Sequence, residues 1–300
     1  MKQLECCPVC ESRNIHHDFT GVCDRRDDGV SWPIFRCDDC RHGFANPQPS
    51  WEELQPYYNA AYDPYESEHG LEGFEQTVAE AKQADEFRHI RIRPGLRILD
   101  VGCGGGAFLR VARELGAVVQ GVEPSSHGVA TAKSSGLPVF HGQIEQFAES
   151  VGPDTKFDVV TANHVVEHHP NPSAMLKTMA SLLADDGYLW LAVPNAGSWS
   201  ARALKEKWHS VDLPYHLMQF NEASMRKALS RAGLEPTRIY TYSLPEALEQ
   251  SLAMYLRFKA FVPRRLSEGS PMLKALAKRK GRRMDADCDG EALIIEARAS

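Results

Sequence analysis

The stretch Arg97-Ile-Leu-Asp100-Val-Gly-Cys-Gly-Gly-Gly-Ala-Phe108 constrains the fold more than any other part of the chain. Ile98, Leu99 and Val101 form an apolar run of strand length that ends in a glycine-rich turn. Phe108, Val111, Ala112 and Leu115 then recur at helical spacing until Gly116 closes the segment. Glycines let the backbone pass close to a ligand at the helix N-terminus, where N–H groups point outward without intrahelical partners. Strand, glycine turn and helix would fit any dinucleotide binder, but Gly102-Cys-Gly104-Gly-Gly106 is spaced GxGxG rather than GxGxxG. Ala117–Val122 reads as the next strand and leads into Glu123, 23 residues after Asp100. An acidic side chain there can accept hydrogen bonds from both hydroxyls of a ribose.

Two further segments extend the pattern. Phe157-Asp-Val-Val-Thr-Ala-Asn163-His-Val-Val-Glu167-His168 reads as a strand and the loop after it. Leu182-Leu-Ala-Asp-Asp-Gly187-Tyr-Leu-Trp-Leu-Ala-Val-Pro-Asn195 reads as a helix end, a turn and another strand. With these four motifs in order, the chain from about Pro94 onward resembles the class I S-adenosylmethionine (SAM) dependent methyltransferases. The resemblance implies an α/β fold, with a seven-stranded Rossmann-like doubly wound sheet. It implies SAM as cofactor, with the backbone around Gly102 and Gly104 passing its amino-acid tail and Asp100 orienting that turn. Glu123 would bind the ribose, Gln143 and Ile144 would face the adenine, and Asn163 would lie beside the methionine amine. Two positions depart from the family pattern: Gln143 stands where an Asp is frequent, and Asp185-Asp186 precede Gly187 where Pro-Gly is usual.

Six of the eight cysteines fall within the first 40 residues. Cys7-Pro-Val-Cys10 and Cys37-Asp-Asp-Cys40 are two CxxC pairs with 26 residues between them. Each turn can bring two thiolates to one ion, and two turns complete a tetrahedral site. Asp18–Cys23 and Ser31–Arg36 read as strands around a polar turn, so the segment is expected to be a zinc ribbon, with Cys6 and Cys23 as spare thiols. A redox CxxC would need a thioredoxin-like context, which a second pair at this distance does not supply. A nucleic-acid-binding ribbon would need a basic surface. Residues 1–50 instead carry six Lys or Arg against eight Asp or Glu, so no nucleic-acid partner is expected.

These readings divide the chain into a zinc ribbon (1–48), a helical cap or linker (49–93) and a SAM-binding domain (94–300) with a helical insertion at about 245–284. In the cap, Ser50 and Glu53 have capping-box spacing ahead of Leu54, Tyr57 and Tyr58. Tyr62 and Tyr65 follow, then a helical stretch from about Leu71 to Ile92. These aromatic-rich helices would cover the substrate pocket or only dock on the sheet. Further on, Asn221 is placed to cap a helix with Phe220 and Met225 as its staple and Gly233 as its stop. Arg238–Tyr242 and Ala292–Ala297 read as the last two strands. No apolar run reaches the roughly 18 residues of a membrane span. The start, MKQLECCPVC, has no apolar leader, so the chain is expected to be cytoplasmic.

Methyl transfer from a sulfonium is an in-line substitution, so orientation dominates. A hydroxyl or carbon acid also needs a base. His216, Glu167 and His168 are the candidates, with the Glu167-His168 pair equally able to brace its loop, and His164 and His169 stand behind them. The expected function is O- or C-methylation of a small molecule such as a sugar, nucleotide sugar or metabolite. A SAM-binding scaffold without turnover, or transfer of another group from a modified SAM, are the alternatives. Net charge is −6, yet residues 255–283 hold ten Lys or Arg against Glu268 alone. Arg264 and Arg265, or Lys278–Arg283, would hold an anionic acceptor. The rivals are an amphipathic Pro245–Val262 helix lying on an anionic membrane, and a solvated surface with no ligand.

Overall fold

The computed structural model describes residues 1–23, 29–58, 73–259 and 271–300. Tyr62, Tyr65, Val262, Arg264, Arg265 and the turn at 24–28 lie outside the described residues. Seven strands form the larger sheet: β4 (Arg97–Val101), β5 (Val118–Glu123), β6 (Val139–His141), β7 (Phe157–Asn163), β8 (Leu183–Pro194), β10 (Leu234–Tyr242) and β11 (Ala292–Ala299). Their order is β10-β11-β8-β7-β4-β5-β6. The five from β8 to β6 are parallel, and β10 and β11 pair antiparallel at one edge. This is the expected α/β architecture.

The apolar runs in β4 and β7 follow from burial on both faces. Leu99, Val101, Val160 and Ala162 point into one core. Their neighbours Ile98 and Val159 point into the other, under α3 (Ala107–Glu114) with Phe108, Leu109 and Ala112. α4 (Ser126–Ser134) is capped by Ser125, whose hydroxyl accepts from the Gly128 amide, and α5 (Ile144–Ser150) opens with a Gln143/Gln146 capping box. α6 (Pro172–Ser181) and α8 (Glu222–Arg231) cover the first core, and Asn221 caps α8 with Phe220 and Met225 both buried.

The expected turn at Asp185-Asp186-Gly187 is instead absorbed within β8. Phe157 pairs with Leu183 and Val159 with Tyr188, so the intervening residues bulge out of register. A Cβ on Gly187 would lie 2.9 Å from the Phe157 carbonyl oxygen, which is why the bulge takes glycine.

The four-stranded antiparallel sheet has the order β1 (Ile15–Val22), β2 (Ser31–Cys37), β3 (Gly43–Ala45) and β9 (Met218–Gln219). Its last strand comes from the far part of the chain, through Gly43 opposite Gln219 and Phe44 opposite Met218. Cys7, Val9, Ile34 and Phe44 accordingly share one core cluster with Leu217, Met218 and Phe220.

In the 49–93 segment, α1 (Trp51–Leu54) carries the expected reciprocal Ser50–Glu53 box. The long helix expected from about 71 to 92 is shorter. α2 runs over Phe74–Ala84 and stops where Asp85 turns left-handed, and Arg88 and His89 also have positive φ. An antiparallel bridge between Phe87 and Ile90 replaces the missing turns. Of the insertion, α9 (Pro245–Lys259) and α10 (Pro271–Ala286) pack as a pair. Leu248 and Leu252 of α9 are buried against Leu273, Ala277 and Met284 of α10, so this apolar face is occupied within the chain. Among the described residues no helix is long and apolar enough to cross a membrane.

Candidate active site

The glycine turn after β4 is built for close approach. Gly102 has φ of 69°, and a Cβ there would lie 2.5 Å from a Val165 methyl. At the end of β5, Glu123 is buried and organises this turn. One carboxylate oxygen accepts from the Gly104 amide at 2.9 Å, and the other from the Ser125 amide at 2.7 Å. Asp100 lies beneath the turn and accepts a 2.6 Å hydrogen bond from the Thr161 hydroxyl of β7. Burial pushes its carboxyl up to about 6, against the opposing effects of Thr161 and the Arg88 charge.

A cavity of about 700 Å³ opens over the C-terminal ends of β4, β5 and β7, a size ordinary for small-molecule sites. It gathers Gly102, Gly104, Glu123, Gln143, Ile144 and Asn163, the residues expected to hold the cofactor. Asp100 is the exception, supporting the turn from below. His168 and His216 line the same cavity, together with Leu54 and Tyr58 of the expected cap and Asp212, which motif reasoning did not single out for the site.

Glu167 is fully buried behind this wall. It bonds His164 Nδ1 at 3.1 Å and lies 3.9 Å from His216 Nε2. Burial raises its pKa, but the His164 hydrogen bond and the three surrounding imidazoles outweigh this and hold it below the usual range. His168 Nδ1 faces the Tyr215 carbonyl at 2.9 Å, and burial together with His216 drives its pKa down to about 4. His216 Nδ1 faces the Ser210 carbonyl at 2.8 Å, and its Nε2 lies 3.9 Å from Asp212 as well. A carbonyl cannot donate, so the ring nitrogen facing it carries the N–H, which puts the proton on Nδ1 of both rings and the lone pair on Nε2.

A second cavity of about 660 Å³ lies across the end of β7 and shares Asn163 and His164 with the first. Its walls come from α2, the Phe87–His89 turn, Trp190 and Ala192 of β8, His209, and the start of β11. Arg88 lies here with its guanidinium 5.4 Å from the Phe108 ring centre. The truncation of α2 brings Arg88 into this wall, which helical periodicity had no means to show.

In the N-terminal module, the Cys7, Cys10, Cys37 and Cys40 sulfurs lie within 4.8 Å of one another. Cys7 and Cys40 are 3.6 Å apart, and Cys10 and Cys37 are 3.5 Å apart. Cys6 and Cys23 are not part of this group.

The basic helix α10 lines neither cavity. Its Lys280 ammonium sits 3.9 Å over the Trp199 ring.

Comparison with known proteins agrees with this geometry. A family model described as a methyltransferase domain matches residues 57–239, more than half of the chain. The chain belongs to this methyltransferase-domain family. A ubiquinone biosynthesis O-methyltransferase of Glaesserella parasuis is 33% identical over 109 residues, covering 34% of this chain and 46% of that protein. The chain thus matches about half the length of that curated relative. Among solved structures, a SAM-dependent methyltransferase from Archaeoglobus fulgidus superposes with a TM-score of 0.52 at 18% identity, over 80% of this chain and 99% of that one. Magnesium protoporphyrin IX methyltransferase of Synechocystis PCC 6803, solved with bound S-adenosylhomocysteine, gives 0.51 at 20% identity, over 84% and 100%. Both share the family fold.

Proposed function

We propose that this chain is a SAM-dependent methyltransferase that methylates oxygen or carbon of a small molecule such as a sugar, nucleotide sugar or metabolite. The observation that carries this reading is the pair of cavities meeting at Asn163 and His164. The first is lined by the glycine turn, Glu123, Gln143, Ile144 and Asn163, which suit the cofactor, with Asp100 beneath the turn. The second adjoins it through those two residues, so an acceptor held there meets His216 by extending its reacting atom past them into the first cavity. When bound, SAM supplies an electrophilic methyl group on a sulfonium.

The chain's own residues do the rest. Glu123 keeps the Gly102–Gly104 turn in shape and offers its remaining lone pairs to ribose hydroxyls. Gln143 and Ile144 form the adenine wall, and Asn163 faces the methionine end. His216 is the proposed base. Its Nε2 lone pair is free to take a proton, and Glu167 and Asp212 at 3.9 Å stabilise the resulting imidazolium. Glu167 and His168 position His216 and the loop.

The four cysteines are proposed to hold one structural zinc. Four sulfurs within 4.8 Å match the donor set and closeness of a tetrahedral thiolate site.

The test of function is turnover. SAM should be converted to S-adenosylhomocysteine when a panel of sugars and nucleotide sugars is supplied. His216→Gln should lower kcat roughly 10²- to 10⁴-fold, the usual contribution of a general base, with S-adenosylhomocysteine affinity unchanged. Binding of S-adenosylhomocysteine with no turnover on any acceptor would instead leave a SAM-binding scaffold.

A further inference from the structure

The second cavity contains a group that the proposed methyl transfer does not use. Glu291 precedes β11 and is 5% exposed, and both of its carboxylate oxygens are buried without a hydrogen-bond partner. It nevertheless lines the cavity. Burying a carboxylate without a donor is costly, so its surroundings matter.

The nearby donors are engaged elsewhere. His209 Nε2 is 4.0 Å from Glu291, beyond hydrogen-bond reach. That nitrogen meets the Ser210 hydroxyl at 2.9 Å, and Nδ1 meets Ser251 at 3.1 Å. Burial also lowers the His209 pKa, so the ring supplies no compensating positive charge at neutral pH. The Ser243 hydroxyl donates to Asp285, and the Asn195 amide donates to the Gly290 carbonyl. Arg202 is paired with Asp289. Glu80 and Glu86 add further acidic groups to the cavity, against Arg88 as its one arginine among the described residues. Tyr242 and Leu244 give the mouth an apolar rim.

We propose that Glu291 is the recognition group for an acceptor carrying an ammonium, such as an amino sugar, bound in the second cavity. This rests on the methyltransferase reading of the two cavities and names the acceptor class for it. An ammonium supplies the N–H donors and the charge that the buried carboxylate lacks. A protonated amine has no lone pair and cannot attack a methyl group. The ammonium is therefore the handle, and a hydroxyl or carbon elsewhere on the acceptor reacts. The basic helix α10, which lines neither cavity, plays no part in holding it.

The experiment uses the full chain and two matched probes, glucosamine and glucose, at equal ionic strength with S-adenosylhomocysteine present. Wild-type protein should bind glucosamine at least tenfold more tightly than glucose, read by calorimetry and by melting temperature. Glu291→Gln should erase that preference and leave glucose and S-adenosylhomocysteine affinities unchanged. Glu80→Gln, on the exposed side of the cavity, should keep it. Without any ligand, Glu291→Gln should melt at a higher temperature, because an unpaired buried carboxylate has been removed. Equal binding of the two sugars, a preference that survives Glu291→Gln, or a lower melting temperature in that variant would each overturn the proposal. Failure to bind S-adenosylhomocysteine is a separate result and would overturn the methyltransferase reading itself.

Discussion

The larger sheet buries Ile98, Leu99, Val159, Val160, Leu189 and Leu191 completely and sandwiches them between helices. The four-stranded sheet has strands of only eight, seven, three and two residues. A sheet this small buries little apolar surface and needs an additional link. One such link is β9, with Met218 and Gln219 lent from beyond the glycine turn; the zinc proposed for the four cysteines would be a second. The larger sheet stands on apolar burial, whereas the smaller one leans on its neighbour and, on the zinc proposal, on a metal cross-link.

The sharpest way to break that contrast is to remove one sulfur. Cys37→Ser should drop zinc from one per chain to near zero by metal analysis. It should also expose residues 1–48 to limited proteolysis, because structural zinc contributes about 10–16 kcal/mol in small four-ligand modules. S-adenosylhomocysteine affinity should fall far less, since the glycine turn and Glu123 belong to the larger sheet. A tenfold loss or more would mean that β9 transmits disorder to Leu217 and His216, which line the first cavity. Freshly purified protein without zinc would reject the metal assignment.

The second prediction tests the larger sheet on its own terms. Glu123→Ala removes the acceptor for the Gly104 and Ser125 amides and the proposed ribose partner together. Each charge-assisted hydrogen bond is worth about 1.5–3 kcal/mol, so S-adenosylhomocysteine should bind at least tenfold more weakly by calorimetry. Zinc content should not change. Equal affinity in the variant would remove Glu123 from the site.

These two sites were legible to different degrees for physical reasons. GxGxG, Glu123 and the strands around them are local patterns, because a parallel strand buried on both faces writes a continuous apolar run into the sequence. The two CxxC pairs are equally local. β9 is two residues long and pairs with residues some 175 positions earlier, and nothing in Met218-Gln219 marks it as a strand. Glu291 was invisible for the opposite reason. Its identity is ordinary, and only the engagement of His209, Ser243 and Asn195 elsewhere leaves it unpartnered. The end of α2 was misplaced because the apolar periodicity continues past Asp85 while the backbone does not.

A pH titration of stability separates the sheets less strongly. His168, against the first cavity, has its pKa lowered to about 4 from the ordinary 6.5. The unfolded chain therefore binds a proton between these values that the folded chain refuses, and stability falls as pH decreases from about 6.5 to 4. At about 1.4 kcal/mol per unit, the loss approaches roughly 3 kcal/mol. Asp100, raised to about 6, opposes it: the folded chain takes up that proton first, so its contribution rises as pH falls through the same window. The comparison that isolates His168 is with His168→Asn, whose urea-unfolding free energy should fall less over that range. Parallel curves for the two proteins would deny His168 the role.

The smallest expected effect lies where the sheets meet. Asn221 accepts from the Ser224 amide to cap α8, and its Nδ2 donates to the Arg41 carbonyl at 2.8 Å, beside Cys40. One side chain thus starts a helix of the larger layer and ties down the loop that carries Cys40. Asn221→Ala removes both contacts and should cost about 1–2 kcal/mol, mostly from the cap. Asn221→Asp keeps a capping oxygen but has no N–H for Arg41, so it should recover most of that loss and leave about 0.5–1 kcal/mol. If the tie matters to the smaller sheet, both variants should release zinc to a chelator faster than wild type, to a similar extent, despite their different stabilities. Should release follow overall stability instead, with Asn221→Asp close to wild type, the amide contact is incidental and the sheets are coupled through β9, the Phe44–Phe220 core and contacts such as Arg231–Glu11.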